Sequence, residues 1–271
     1  MLMWGGVIPA NDNDLAYVAG ILGSPTNDLL FKWLSKPFRG DYLSANKQFI
    51  APLPVPDPSE ADRAEVAHIA ERLQAAYTER ARLRQGLSDR LGRLARRKRP
   101  HEWLLPDVQA KSAIEAEASA RMLPAARREW ADGLQAEQIE AAIARVDDML
   151  RLDSTIEARF EDGELTLAID GAEAARVYAD DIVGPFWLAQ WQAIALGYEP
   201  NGKGNGKRLI DLLRAVADEA PAVVRGQIIE RQQALSTLAI ELRALEASLH
   251  EITCRLFELT PEERRMVEQH R

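Results

Sequence analysis

The chain has 271 residues, 46% of them apolar, which is enough for one large domain or two ordinary ones around a buried core. A single cysteine, Cys254, excludes an internal disulfide and a cysteine-built zinc site. No apolar run reaches the roughly 18–20 residues of a membrane helix, and the start MLMWGGVIPANDND lacks the basic flank and cleavage site of a signal peptide, so a cytoplasmic protein with no membrane partner is expected. The formal charge of -8 argues against a nonspecific polyanion binder, but it is unevenly spread: between Arg80 and Arg99 nine basic residues face one acid, Asp89, leaving +8 there and -16 on the rest.

Taken from the start, Asn11 to Asp14 offer turn or cap chemistry, and Leu15, Val18, Ile21 and Leu22 recur at helical spacing. A second short helix is predicted over Thr26 to Leu34. Prolines at 52, 54, 56 and 58 cannot sit inside a helix, because each lacks an amide donor and restricts its predecessor, so this stretch is an extended strap. Ser59 is a good N-cap for a long helix to about Arg97, with Val66, Ile69, Leu73, Ala76, Leu83, Leu87, Leu91 and Leu94 on one face and a kink or break expected near Gly86.

Near the end, Val224, Ile228, Arg231, Leu235, Leu238, Leu242, Leu245, Leu249, Ile252, Leu256 and Leu259 keep the spacing of a coiled-coil seam. That predicts a helix from Pro221 of about 37 residues, roughly 55 Å long. Two matching amphipathic helices of this kind pack as an antiparallel pair, the competing readings being ordinary helix packing or a homodimeric coil. Between them, helices are predicted over Ser112 to Trp130 and Ala136 to Leu150. A hairpin turns at Asp162-Gly163, with Ile156, Ala158 and Phe160 alternating before it and Leu165, Leu167 and Ile169 after it. A further strand near Ala175 to Tyr178, a helix with Phe186, Trp187, Trp191 and Ile194, a glycine-rich loop over Asn201 to Lys207 and a helix from about Arg208 to Asp218 complete the block. The divisions expected are 1–58, 59–100, 101–220 and 221–271. The fold class is mainly α, a long antiparallel coiled-coil pair with a small α+β insertion.

Chemistry-bearing motifs are sparse. Gly202-Lys-Gly-Asn-Gly-Lys207 lacks the spacing of a phosphate loop, the Ser or Thr after the lysine and the preceding strand, and reads as a flexible linker. His68, His101, His250 and His270 form no His-x-x-x-His pair, Cys254 falls between the seam positions Ile252 and Leu256, and Trp187 and Trp191 read as core. None of the seven lysines has the carboxylate two positions earlier that a magnesium-dependent nuclease of the Asp/Glu-x-Lys type needs. By contrast Lys32, Lys36, Arg39, Lys47 and the polar Tyr42, Ser44, Asn46 and Gln48 cluster about Gly40, a mixture able to contact phosphates and base edges. An exposed loop is the bland alternative.

The order of three segments carries more: Leu15-Ala-Tyr-Val-Ala-Gly-Ile-Leu-Gly-Ser24, then Phe38-Arg-Gly-Asp-Tyr-Leu-Ser-Ala-Asn-Lys-Gln-Phe-Ile50, then Ala51-Pro-Leu-Pro-Val-Pro56. This resembles the closing part of the TaqI-like C-terminal specificity domain of adenine-specific DNA methyltransferases and type IIG restriction-modification enzymes. In that family a helix ending in Leu-Asn-Ser leads to a Gly-Tyr segment, Asn-Lys-Gln and a Leu/Ile-Pro-x-Pro strap. Gly23 here replaces the family's Asn, and a single Gly40 followed by Asp41 its usual Gly-Gly. The C-terminal Leu256-Phe-Glu-Leu-Thr260-Pro-Glu-Glu263 resembles the family's Leu-Tyr-x-Leu-Thr-x-x-Glu and has the form of a capping box.

The resemblance covers roughly 15–97 and 222–268. It implies that 1–58 is a partial target-recognition segment and 59–100 and 221–271 are coiled-coil arms around the inserted subdomain. Double-stranded DNA would be the ligand, read or held by Lys32, Lys36, Arg39, Gly40, Tyr42, Asn46, Lys47 and Gln48, with Arg93, Arg96, Arg97, Lys98 and Arg99 tracking its backbone. The family's Asn-Pro-Pro-aromatic motif and glycine-rich cofactor loop do not occur, so no catalytic residue and no metal site is expected here. S-adenosylmethionine then belongs to a catalytic domain on a partner methyltransferase or restriction subunit, and the chain is expected to be a split subunit, a truncated gene product or a fragment. Competing expectations are a helical scaffold without DNA contact, a self-associating coil and a type I-like specificity subunit.

Overall fold

The computed structural model describes residues 14–39, 42–43, 46–119, 121–152, 154–201 and 204–269, with 37–39 and 42 as backbone alone. The cap expected at Asn11 to Asn13, Gly40, Ser44, Gly202 and Lys203 lie outside the described residues. In chain order the elements are α1 (Leu15–Leu22), α2 (Pro25–Leu34), β1 (Pro37–Arg39), β2 (Tyr42–Leu43), α3 (Lys47–Ile50), α4 (Glu60–Gly92), α5 (Lys111–Glu117) and α6 (Pro124–Met149). They continue with β3 (Ile156–Glu161), β4 (Glu164–Ile169), β5 (Ala172–Tyr178), α7 (Gly184–Gly197), α8 (Asn205–Arg214), α9 (Ala222–Leu256) and α10 (Pro261–Gln269). The fold is mainly α with a small antiparallel sheet.

The chain divides into two compact units, residues 1–82 with 235–271, and residues 83–234. In the first, the apolar faces of α4 and α9 close on each other: Val66, Ile69, Leu73 and Ala76 share one core with Leu242, Leu245, Leu249 and Ile252, and α1 adds Tyr17 and Ile21. Burying each of these Leu and Ile side chains is worth about 1.5–3 kcal/mol. Arg255 reaches Asp62 at 2.6 Å and Arg72 reaches Glu241 at 2.7 Å, so numbers rise on one helix as they fall on the other and the pair is antiparallel. From Leu238 to Leu256 the coiled-coil seam of α9 is thus filled from within the chain.

Local chemistry sets the ends of these helices. Ser59 Oγ accepts from Asp62 N at 3.2 Å to cap α4, and Ser24 caps α2 ahead of Pro25 in the first turn. At α10 the capping box forms as read: Glu263 N donates to Thr260 Oγ1 at 3.3 Å, and the Glu263 carboxylate accepts from the Thr260 hydroxyl at 2.7 Å and from Thr260 N at 2.8 Å, which together hold that carboxyl below its usual range.

The unit of residues 83–234 is built on the meander β3-β4-β5, both of whose turns pair an Asp with a Gly at positive φ, Asp162-Gly163 and Asp170-Gly171. Leu165, Leu167, Ile169 and Val177 are buried on the side of α7, which packs on β3 and β4. The register between β4 and β5 slips at Leu167/Ala168, so the consecutive residues Ala174 and Ala175 are both buried. Trp191 is fully buried and donates to the Leu213 carbonyl at 3.3 Å, while Trp187 meets Trp103 edge-on with centroids 5.1 Å apart. The two tryptophans are core, as their spacing suggested.

Four boundaries differ from expectation. α4 ends at Gly92 and not near Arg97, because the chain turns away there to carry Arg99 to the core of its unit. α4 runs through Gly86 without a break; the glycine makes room for the seam residue Arg231, whose Nη1 would stand 2.9 Å from a Cβ at that position. The helix expected over Ser112 to Trp130 divides into α5 and α6, since Pro124 can open a helix but not sit within one. The glycine-rich stretch contains no free linker at Gly206, which is wedged against the backbone of α6.

Candidate nucleic-acid interface

Two of the segments that carry the resemblance, 15–24 and 51–56, are tied together in the first unit. The fully buried Asn27 donates through Nδ2 to the Ile21 carbonyl at 3.0 Å and to the Pro54 carbonyl at 3.1 Å, tying α1, α2 and the proline strap. Tyr17 donates to the Pro56 carbonyl at 2.6 Å. Arg63 lies over the Tyr17 ring and pairs with Asp14 and Asp57, each at 2.6 Å, so α4 grips both α1 and the strap. Gly20 permits this crossing: a Cβ there would stand 2.9 Å from Val66 Cγ1.

The cations and amides singled out in this region lie on that frame. Lys32 is exposed on α2 and pairs with Asp28 one turn earlier at 2.7 Å. Lys36, Asn46, Lys47 and Gln48 are exposed, and α3, which carries Lys47 and Gln48, packs on α2. Arg39 and Tyr42 are paired positions of β1 and β2, and Gly40 lies outside the described residues. Sequence reasoning missed Trp33, 59% exposed between Lys32 and Lys36. The sequence predicts a helix over Thr26 to Leu34 but not which of its faces is covered.

The basic stretch behaves as two populations. Arg82 chelates Glu79 with two bonds of 2.6 and 2.7 Å, Arg80 lies over the Tyr77 ring and Arg90 donates to Gln227 at 3.1 Å. Lys98 pairs with Asp211 at 3.1 Å, and Arg99 pairs with Asp218 while stacking on Trp103 and Trp187. Those contacts leave Arg99, one of the basic residues expected on a DNA backbone, with its charge met by Asp218 and its face covered by two indoles. Arg93, Arg96 and Arg97 are exposed and have no carboxylate partner among the described residues. They stand on the non-helical segment after Gly92, not on a coil face.

Beside Arg99, Arg214 Nη1 lies 2.5 Å from His101 Nε2, a contact the ring can make only as an acceptor because a guanidinium has no lone pair. Burial first, and then the Arg214 cation, push the His101 pKa below the usual imidazole value. A depressed folded-state pKa means that the unfolded chain takes up the proton first. The contribution is therefore whole above the unfolded value, near 6.5, and is lost as pH falls through that value toward the folded one. Thermal melts of the wild type should lose stability more steeply from pH 7 to pH 5 than those of His101→Gln; parallel profiles would remove His101 from the account.

Nothing in these residues makes a nucleophile. Cys254 Sγ lies 3.6 Å from the His250 ring and His250 lies 3.9 Å from Glu268, but Cys254 is buried and burial pushes its thiol up, which disfavours the thiolate. Among the described residues no group of three or more His, Cys, Asp or Glu converges as a metal site would, and no helix is long and apolar enough to cross a membrane. No protein-family model, curated protein or solved structure matches the chain.

Proposed function

We propose that the chain is the DNA target-recognition and assembly portion of a restriction-modification type, adenine-specific DNA methyltransferase, working with a methyltransferase or restriction partner that carries the catalytic domain and its S-adenosylmethionine. One observation carries the reading. Tyr17 and Ser24 of the first motif segment and the strap carbonyls of Pro54 and Pro56, tied together through Asn27, make one hydrogen-bonded frame beside which Lys36, Asn46, Lys47 and Gln48 are exposed. A frame of this kind fixes the polar groups that would contact phosphates and base edges. Arg93, Arg96 and Arg97 add uncancelled positive charge of the type that holds a DNA backbone.

A specific observation favours the scaffold reading for other arginines: Arg72 and Arg255 of the helix pair are spent on Glu241 and Asp62. The two readings separate at Arg96 and Arg97. If the chain holds DNA, a labelled duplex of about 30 base pairs binds at ~50 mM salt and weakens as salt rises, each neutralised phosphate adding about 0.9 to the log–log slope. Arg96→Gln with Arg97→Gln then lowers that slope by about 1.8 and the affinity on the order of 30-fold at ~150 mM salt, with the melting temperature unchanged. Absence of binding by the wild type at low salt, or binding indifferent to salt, defeats the proposal.

A further inference from the structure

We propose that Lys207 and Arg208, in the first turn of α8, extend the Arg93 to Arg97 stretch into one phosphate-contacting surface of the 83–234 unit. This deepens the DNA-binding reading and rests on it. Residue numbers hide the juxtaposition, since more than a hundred positions separate Lys98 from Lys207. In the fold both line one open concavity of about 460 Å³, together with Arg208 and Asp211. Asp211 is one turn beyond Lys207 on the same face of α8, and its charge is already met by Lys98 at 3.1 Å and Arg214 at 3.4 Å. The other charged residues of the concavity, Lys98, Lys207 and Arg208, are cations.

Lys207 is exposed and has no carboxylate partner among the described residues. Arg208 lies over the Tyr198 ring at 4.7 Å and donates to Asn201 Oδ1 at 2.5 Å and to the Glu199 carbonyl, neutral partners that position its guanidinium without cancelling its charge. Gly206 N donates to Asp147 Oδ1 at 2.8 Å, so the backbone beneath Lys207 is fixed by α6. That bond also occupies an amide at the start of α8, and the surface works through side-chain cations and not through the helix end. Five such cations, Arg93, Arg96, Arg97, Lys207 and Arg208, stand in one unit of a chain whose formal charge is -8. A duplex bears one phosphate charge per ~1.7 Å of axis, a density that exposed cations without carboxylate partners among the described residues are suited to meet.

The test uses the full chain and a fluorescent duplex of about 30 base pairs titrated from ~50 to ~200 mM salt. Lys207→Gln should lower the log–log slope by about 0.9 and the affinity about fivefold at ~150 mM salt. Its loss should add to that of Arg96→Gln with Arg97→Gln. Arg128→Gln is the charge control, because Arg128 stands 19 residues before Asp147 on α6, about 28 Å away along the axis, and should leave the slope unchanged. If Lys207→Gln changes nothing while the Arg96/Arg97 pair does, this inference fails and the DNA reading stands. If Lys207→Gln and Arg128→Gln act equally, only overall charge matters and the inference fails again. If the wild type does not bind, the DNA reading fails and takes this surface with it.

Discussion

Gly206→Ala destabilises the 83–234 unit by about 3 kcal/mol, which lowers its melting temperature by about 6–12 °C at this size. A Cβ at position 206 would lie 2.6 Å from both Asp147 N and the Ile143 carbonyl oxygen, and 3.0 Å from Asp147 Cα. All three are backbone atoms of α6, so nothing nearby can rotate away, and α8 must retreat as a body. Retreat also stretches the bond from Gly206 N to Asp147. Leu209, Ile210 and Leu213, each at most 1% exposed, follow the helix out of the core. Gly133→Ala is the counterpart: beyond α6's own adjacent backbone nothing lies within 4 Å of a Cβ there, and the substitution should stabilise by roughly 0.5–1 kcal/mol through the unfolded chain. Urea melts followed by tryptophan fluorescence read this unit well, because Trp103, Trp130, Trp187 and Trp191 belong to it. Equal and small effects of the two substitutions would show that α8 is not wedged against α6.

That contrast explains what the amino-acid sequence conveyed and what it did not. Patterns that depend on one chain segment were legible. The seam of α9, the alternation around Asp162-Gly163 and the Thr260 to Glu263 box are periodicities or local hydrogen bonds, and each recurs in the fold. The glycines were ambiguous because their meaning lies in a partner distant in the sequence. Gly206 looks like linker until α6 lies against it, and Gly86 looks like a break until Arg231 lies over it. Leu94 continues the apolar spacing past the true end of α4, since periodicity alone cannot register that the chain leaves the helix to bring Arg99 to Trp103 and Asp218. The candidate site follows the same rule. Composition located the basic stretch, but sorting Arg99 from Arg96 required knowing where Asp218 sits. Lys207 could not be joined to that stretch from its neighbours, two glycines, an asparagine and an arginine.

Asn27→Asp should cost on the order of 4 kcal/mol in the first unit, more than Asn27→Ala at about 2 kcal/mol, although it is the smaller change in shape. Asn27 is 0% exposed and its Nδ2 donates to the carbonyls of Ile21 and Pro54. The Ile21 carbonyl keeps Ser24 Oγ at 2.7 Å after truncation, so alanine orphans chiefly the strap bond and leaves a cavity. Aspartate does worse because it sets an acceptor-only carboxylate against the two carbonyl oxygens of Ile21 and Pro54, with no cation bonded to this side chain among the described residues. The new carboxyl must therefore titrate above its unfolded value near 3.9. With a raised folded pKa, stability is whole below the unfolded value and is lost as pH rises through the folded one, so the deficit of Asn27→Asp should shrink from pH 7.5 to pH 4.5 while that of Asn27→Ala stays flat. Both variants should also expose the strap, giving chymotryptic cleavage near Phe49 and Leu53 that the wild type resists, with the tryptophan melt of the other unit unmoved. A pH-independent deficit for aspartate would mean that its carboxylate finds water, and that the frame presenting Lys36 and Lys47 is looser than the bonds of Asn27 require.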